Sequence, residues 1–114
     1  MADTVVYVDF EEGKKRVMNN AKLYVKLLTK FKTDVKTEDL NTSLNAGDLA
    51  TAQGHAHTIK GIAANLSLTE LYKQVLELEN QIKAGSVDAA QIETVKTIFA
   101  ATIQEVDKVI AENG

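Results

Sequence analysis

The chain contains no cysteine, no proline and no tryptophan, and only 5% of its 114 residues are aromatic. Without cysteine there can be no disulfide, no thiol nucleophile and no thiolate metal site, a composition that fits a reducing compartment. Without proline, nothing interrupts a long helix. An excess of one charge is missing too: Lys and Arg number 13 against 16 Asp and Glu, a net charge of -3. The basic residues are scattered among acids, so nothing favours nucleic acid as a partner. There is no long apolar run either. The stretch VVYV at residues 5–8 is too short to span a bilayer or to serve as the core of a signal peptide. No membrane partner is expected, and the cytoplasm is the expected location.

What the chain does have is aliphatic residues at helical spacing, within 45% hydrophobic content. Its length suits one core. Residues 1–114 read as a single helical domain, with residues 1–8 a lead-in and a bundle over about 20–112. Asp9 is placed to cap a short helix that breaks at Asn19-Asn20, where Asn20 caps the next. Ala21, Tyr24, Leu28, Phe31 and Val35 then keep one stripe. Thr37 opens a shorter segment holding Leu40 and Leu44, closed by Asn45-Ala46-Gly47. Ser67-Leu68-Thr69-Glu70 has the pattern of a capping box for a helix burying Leu71, Val75, Leu78 and Ile82 and stopped by Gly85. Ser86 or Asp88 starts a last helix with Ile92, Val95, Phe99, Thr102, Val106 and Val109 inward. The expected fold is all-α: an antiparallel up-down four-helix bundle with a short extra N-terminal helix laid across one end.

The most informative stretch runs from Asp48 to Leu66, DLATAQGHAHTIKGIAANL. At roughly 100° per residue, Leu49, Ala52, Ala56, Ile59, Ala63 and Leu66 form the buried seam. His57 points roughly 130° from the centre of that seam and is expected in water. Within roughly 60° of it lie Gln53, Gly54, Lys60, Gly61 and Ala64, so the surface beside the imidazole is nearly bare. Two glycines in a helix cost about 1 kcal/mol each relative to alanine, and close approach of another protein is a reason to keep them. Lys60 sits one turn from the ring, where an ammonium can stabilise negative charge added to a nitrogen. A neutral imidazole is a competent nucleophile near pH 7 and needs no neighbouring base when its partner delivers an activated phosphoryl group.

AHTIKGIAANLSLTELYKQVLELE, residues 56–79, resembles the histidine-containing phosphotransfer (HPt) domains of phosphorelays, whose signature is a histidine followed by Lys-Gly at the third and fourth places. The small and aliphatic residues that normally follow are here Ala64 and Leu66. The likeness extends through FEEGKKRVMNNAKLYVKLLTKF and SLNAGDLATAQGHAHTIKG and so covers most of the chain. The family usually has glycine where this chain has Ser67, a change read as structural because serine makes a good cap. The resemblance implies a carrier that takes a phosphoryl group from a receiver-domain aspartate onto His57, with Nε2 attacking, and passes it to another receiver. Their placement around His57 on the helix makes Lys60 the expected stabilising cation and Gln53, Gly54, Gly61 and Ala64 the expected docking or supporting residues. The resemblance implies no cofactor on this chain, Mg²⁺ belonging to the receiver, and no kinase site. Partners would be receivers of response regulators or hybrid sensor kinases, met by a monomer.

Each signal has a plainer reading. A lone exposed histidine is usually an ordinary surface residue, an exposed lysine a solvated one, an exposed glutamine idle. His55 and His57 form a His-x-His pair, but on a helix the rings project roughly 200° apart and cannot share an ion, so no metal is expected. His55 reads as a boundary residue. The rival to the carrier is a helical-bundle adaptor without chemistry, which offers no reason for two glycines and a lysine around one exposed histidine. A chain that has lost phosphotransfer and only inhibits a kinase is a third reading.

Overall fold

A computed structural model describes residues 7–35 and 37–113. They form six helices: α1 (Phe10–Arg16), α2 (Ala21–Asp34), α3 (Glu38–Asn45), α4 (Leu49–Asn65), α5 (Thr69–Ala84) and α6 (Ala89–Asn113). Tyr7 and Val8 have no regular structure, and the rest of the expected lead-in lies outside the described residues. The helix starts follow local capping chemistry. The carboxylate of Asp9 accepts the Glu12 N–H at 3.2 Å, the Asn20 side chain accepts that of Leu23 at 3.0 Å, and Asp48 that of Thr51 at 3.2 Å. Of the two candidates for α6, Asp88 takes the role, accepting the Ala90 N–H at 2.9 Å. Thr37 stands at the start of α3 but forms no side-chain cap.

The long helices α2, α4, α5 and α6 make the expected bundle. In space α5 lies between α4 and α6, α6 between α5 and α2, and α3 against α4. With 25 residues α6 is about 37 Å long, nearly the 41 Å length of the molecule. The apolar stripes meet as the spacing predicts. Tyr24, Leu28 and Phe31 of α2, Ala52, Ala56, Ile59 and Ala63 of α4, Leu71, Val75, Leu78 and Ile82 of α5, and Val95, Val106 and Val109 of α6 are all buried. Leu49, Val17, Ile92 and Phe99 are only partly buried at the margins of this core. The rings of Phe31 and Phe99, 5.9 Å apart and tilted at 56°, tie α2 to α6. Between α2 and α4 the seam is looser and leaves a groove floored by Val17, Leu27, Phe31, Ile62 and Leu66.

One end of the bundle departs from the sequence reading. Ser67 is not a cap and forms no capping box with Glu70: α5 begins at Thr69 behind Leu68, without a side-chain cap. Ser67 instead adopts a left-handed conformation (φ 57°) that ends α4. Its N–H donates to Ala64 O at 3.3 Å and that of Leu68 to Ala63 O at 2.9 Å, the paired closure that a glycine most often provides. The tight α4–α5 turn demands positive φ here, at a cost of about 1–2 kcal/mol for a residue with a Cβ. Serine offsets part of it: its hydroxyl donates to Glu12 at 2.8 Å, and its carbonyl accepts the Asp9 N–H at 3.0 Å. Those bonds lay α1 across this end. The Tyr24 hydroxyl completes the join, donating to Leu66 O at 2.5 Å beneath Gly13.

Candidate functional site

The middle of α4 fixes where His57 points. Ala56 and Ile59 on either side are buried in the core, which turns the intervening face outward. The His57 side chain is 71% exposed, and its Nδ1 lies 3.4 Å from Oε2 of Glu79 on the neighbouring α5. That distance is longer than a well-formed hydrogen bond. Among the described residues no hydrogen bond or ion pair engages Nε2.

Glu79 is the residue that sequence reasoning missed. Its side chain is 2% exposed, yet it carries a charge into the apolar stripe of α5, one helical turn after Val75 and just before Ile82. Three nitrogens surround its carboxylate. Lys60 Nζ stands 2.7 Å from Oε1, at an angle that leaves this oxygen without a well-aligned hydrogen bond, while Lys83 Nζ stands 3.6 Å from Oε2. Contact with the Lys60 ammonium is the largest influence on the Glu79 carboxyl, and the charges of Lys60, Lys83 and His57 add to it. Together they hold its pKa below the ordinary value of 4.5, against burial, which pushes it up. Glu79 is therefore an anion at neutral pH. A carboxylate interrupting Val75, Leu78 and Ile82 at heptad spacing, with a lysine four residues on, was the available signal.

The other expected residues divide. Gln53 and Gly54 line a shallow groove together with His57, Glu79, Lys83 and Ala50. Gln53 is half-buried there and, among the described residues, forms no hydrogen bond with the ring. Gly54 and Gly61 are exposed, and a Cβ added to either would meet nothing within 4 Å. Neither glycine is needed for packing within the chain. Ala64 is half-buried and faces a second groove with Arg16, Ser67 and Tyr72, a turn and more from the imidazole. Lys60 is the largest departure from a solvated lysine: its side chain is only 20% exposed and its ammonium is engaged by Glu79. His55 turns to the other side of α4, lining a hollow with Asp34 and Asp39. Among the described residues no group of His, Asp and Glu is arranged to hold a metal ion, and no helix is long and apolar enough to cross a membrane.

The bundle presents one imidazole on a cleared helix face, backed by a buried carboxylate. The family model of the Hpt domain matches residues 26–109, and the chain belongs to that family. The match starts inside α2 and leaves α1 outside it. Hpt domains act in histidine phosphotransfer in phosphorelays and interact there with receiver domains. Comparison with curated proteins and with solved structures gave no match.

Proposed function

We propose that this chain is a cytoplasmic phosphorelay carrier in which His57 accepts a phosphoryl group from a receiver's aspartyl phosphate and passes it to a second receiver. The observation that carries the reading is the placement of the ring: a side chain 71% exposed, with Nδ1 3.4 Å from a buried anion. A carboxylate beside Nδ1 favours the tautomer with its proton there, leaving the lone pair on Nε2. In the transfer that lone pair forms the N–P bond while the bond from phosphorus to the acyl oxygen breaks, and its electron pair leaves on the receiver's carboxylate. The Nδ1 proton stays in place. The ring becomes cationic as the bond forms, and Glu79, 3.4 Å away, faces that new charge. Return of the phosphoryl group to another aspartate reverses each step.

Because phosphoryl transfer depends mainly on positioning and charge, the carrier needs no base and no ATP site of its own. The Mg²⁺ and the acidic pocket belong to the receiver in this reading. The receiver approaches over Gly54 and Gly61, where no side chain stands in its way. Lys60 contributes through Glu79, holding the carboxylate charged and in place under the ring.

The test is label transfer from a panel of receivers phosphorylated on aspartate. The wild-type chain is expected to gain acid-labile, base-stable phosphate, and His57→Gln to gain none while keeping its helical circular dichroism and melting curve. Label on His57→Gln would refute the site. A wild-type chain that binds receivers without being labelled would favour the adaptor.

A further inference from the structure

Two lysines share Glu79, and they are not equivalent. Lys60 is largely enclosed and lies 2.7 Å from Oε1; Lys83 has a side chain 52% exposed and lies 3.6 Å from Oε2. Only Lys83 lines the groove onto which His57 opens. It also approaches the same carboxylate oxygen as the imidazole, at 3.6 Å against 3.4 Å for Nδ1. The difference decides which cation is free to move. Drawing Lys60 away would leave a buried carboxylate short of its closest counter-charge, which is costly. Drawing Lys83 away breaks a loose, half-solvated pair, which costs little, and its flexible four-carbon stem lets the ammonium swing across the groove.

Resting on the phosphoacceptor reading of His57, we infer that Lys83 is the cation that contacts the phosphoryl oxygens directly, while Lys60 stays on Glu79 and keeps the carboxylate beneath the ring. Before transfer, Glu79 holds Lys83 next to the imidazole. When a phosphoryl group carrying negative charge arrives at Nε2, Lys83 exchanges the carboxylate for the phosphoryl oxygens. Glu79 is left with Lys60 and with the imidazolium formed by the transfer, so no buried charge is abandoned. No proton moves in the exchange.

Phosphoramidate, a receiver-free phosphoryl donor, separates the two ideas, with N-phosphohistidine followed by phosphorus NMR. If the wild-type chain takes no phosphate on His57, the phosphoacceptor reading fails and this inference with it. If it does, Lys83→Ala is expected to slow uptake or shorten the life of the adduct by about tenfold, the loss of one charge-assisted contact, with an unchanged melting curve. Lys83→Arg should restore most of the loss. Lys60→Ala is expected to lower the melting temperature and, compared where both variants are folded, to change uptake less than Lys83→Ala. A second readout is reaction with acetic anhydride, from which phosphorylation should newly protect Lys83 while leaving Lys60 as it was. Uptake and adduct lifetime in Lys83→Ala within about twofold of wild type, or protection gained at Lys60 instead, would overturn the assignment.

Discussion

Around His57 a methyl group built onto Gly54 or Gly61 meets nothing within 4 Å, whereas one built onto Gly13, at the end of the bundle, runs into the Tyr24 ring. The two regions also differ in what they bury. At the end of the bundle it is a neutral phenol, pinned to Leu66 O and covered by α1; beneath His57 it is an ionised carboxylate ringed by nitrogens. A neutral hydroxyl with one good acceptor is a join, and it fixes a rigid corner. A buried anion with three partners at 2.7, 3.4 and 3.6 Å is a reservoir of charge that can be redistributed when a partner is taken away. The same residue type, glycine, serves the first region by being filled and the second by being left open.

Gly13→Ala is the sharpest way to break the contrast. The added methyl overlaps a ring that is fully buried and held at its hydroxyl, so neither partner can yield. A loss of about 3 kcal/mol in denaturant unfolding is expected, since overpacking outweighs the helix-propensity gain. A variant as stable as wild type would mean that the corner is soft.

Next in size is Glu79→Gln, with an expected loss of about 2 kcal/mol because Lys60 forfeits its buried counter-charge while the amide keeps the shape. The pH dependence gives the sign. With its pKa held below 4.5, Glu79 contributes stability that is fully present above that pH and lost as pH falls through the lower folded-state value. Acid unfolding of the wild type should therefore be steeper below pH 4.5 than that of the glutamine variant. Parallel acid profiles would argue against a paired, ionised Glu79.

Tyr24→Phe is expected to cost about 1 kcal/mol through the lost hydrogen bond to Leu66. Here the sign reverses. Burial, reinforced by the charges of Asp9 and Glu12, pushes the Tyr24 phenol well above its ordinary value of 10.0. Its contribution is complete below pH 10.0 and lost as pH climbs toward the folded-state value, because the unfolded chain ionises first. The phenylalanine variant should lose less stability than wild type between neutral and strongly alkaline pH, as read by thermal melts.

The smallest effect belongs to Gly61→Ala, which should stabilise the chain by about 0.5–1 kcal/mol, since the methyl enters open space on a helix. A bulky replacement, Gly61→Leu, should fold as well as wild type yet take label from a receiver more slowly than from phosphoramidate. Equal rates from both donors would remove docking as the reason for the glycine.

Much of this contrast was legible in the sequence, and the rest was not, for reasons that can be traced to particular residues. The stripe from Ala52 to Ala63 placed His57 outward, and the nearly bare neighbourhood of Gly54 and Gly61 followed from the same wheel. Asp9, Asn20, Asp48 and Gly85 marked helix ends correctly because caps and left-handed stops are made by residues a few places apart. Ser67 misled. Its residue type suits a cap, but the turn between two packed helices set its φ, and its hydroxyl found Glu12, 55 positions away. For Lys60, helical spacing gave its place beside His57 and nothing about the acid across the interface that engages it.

Helical periodicity is a local property, and so the sequence alone determined which residues face the core and which histidine stands in solvent. The partners of Glu79 depend on how far α4 and α5 slide and rotate against one another, and the meeting of Gly13 with Tyr24 on the angle at which α1 crosses the bundle. Those offsets are settled by the packing of whole helices, so only the tertiary structure could decide them.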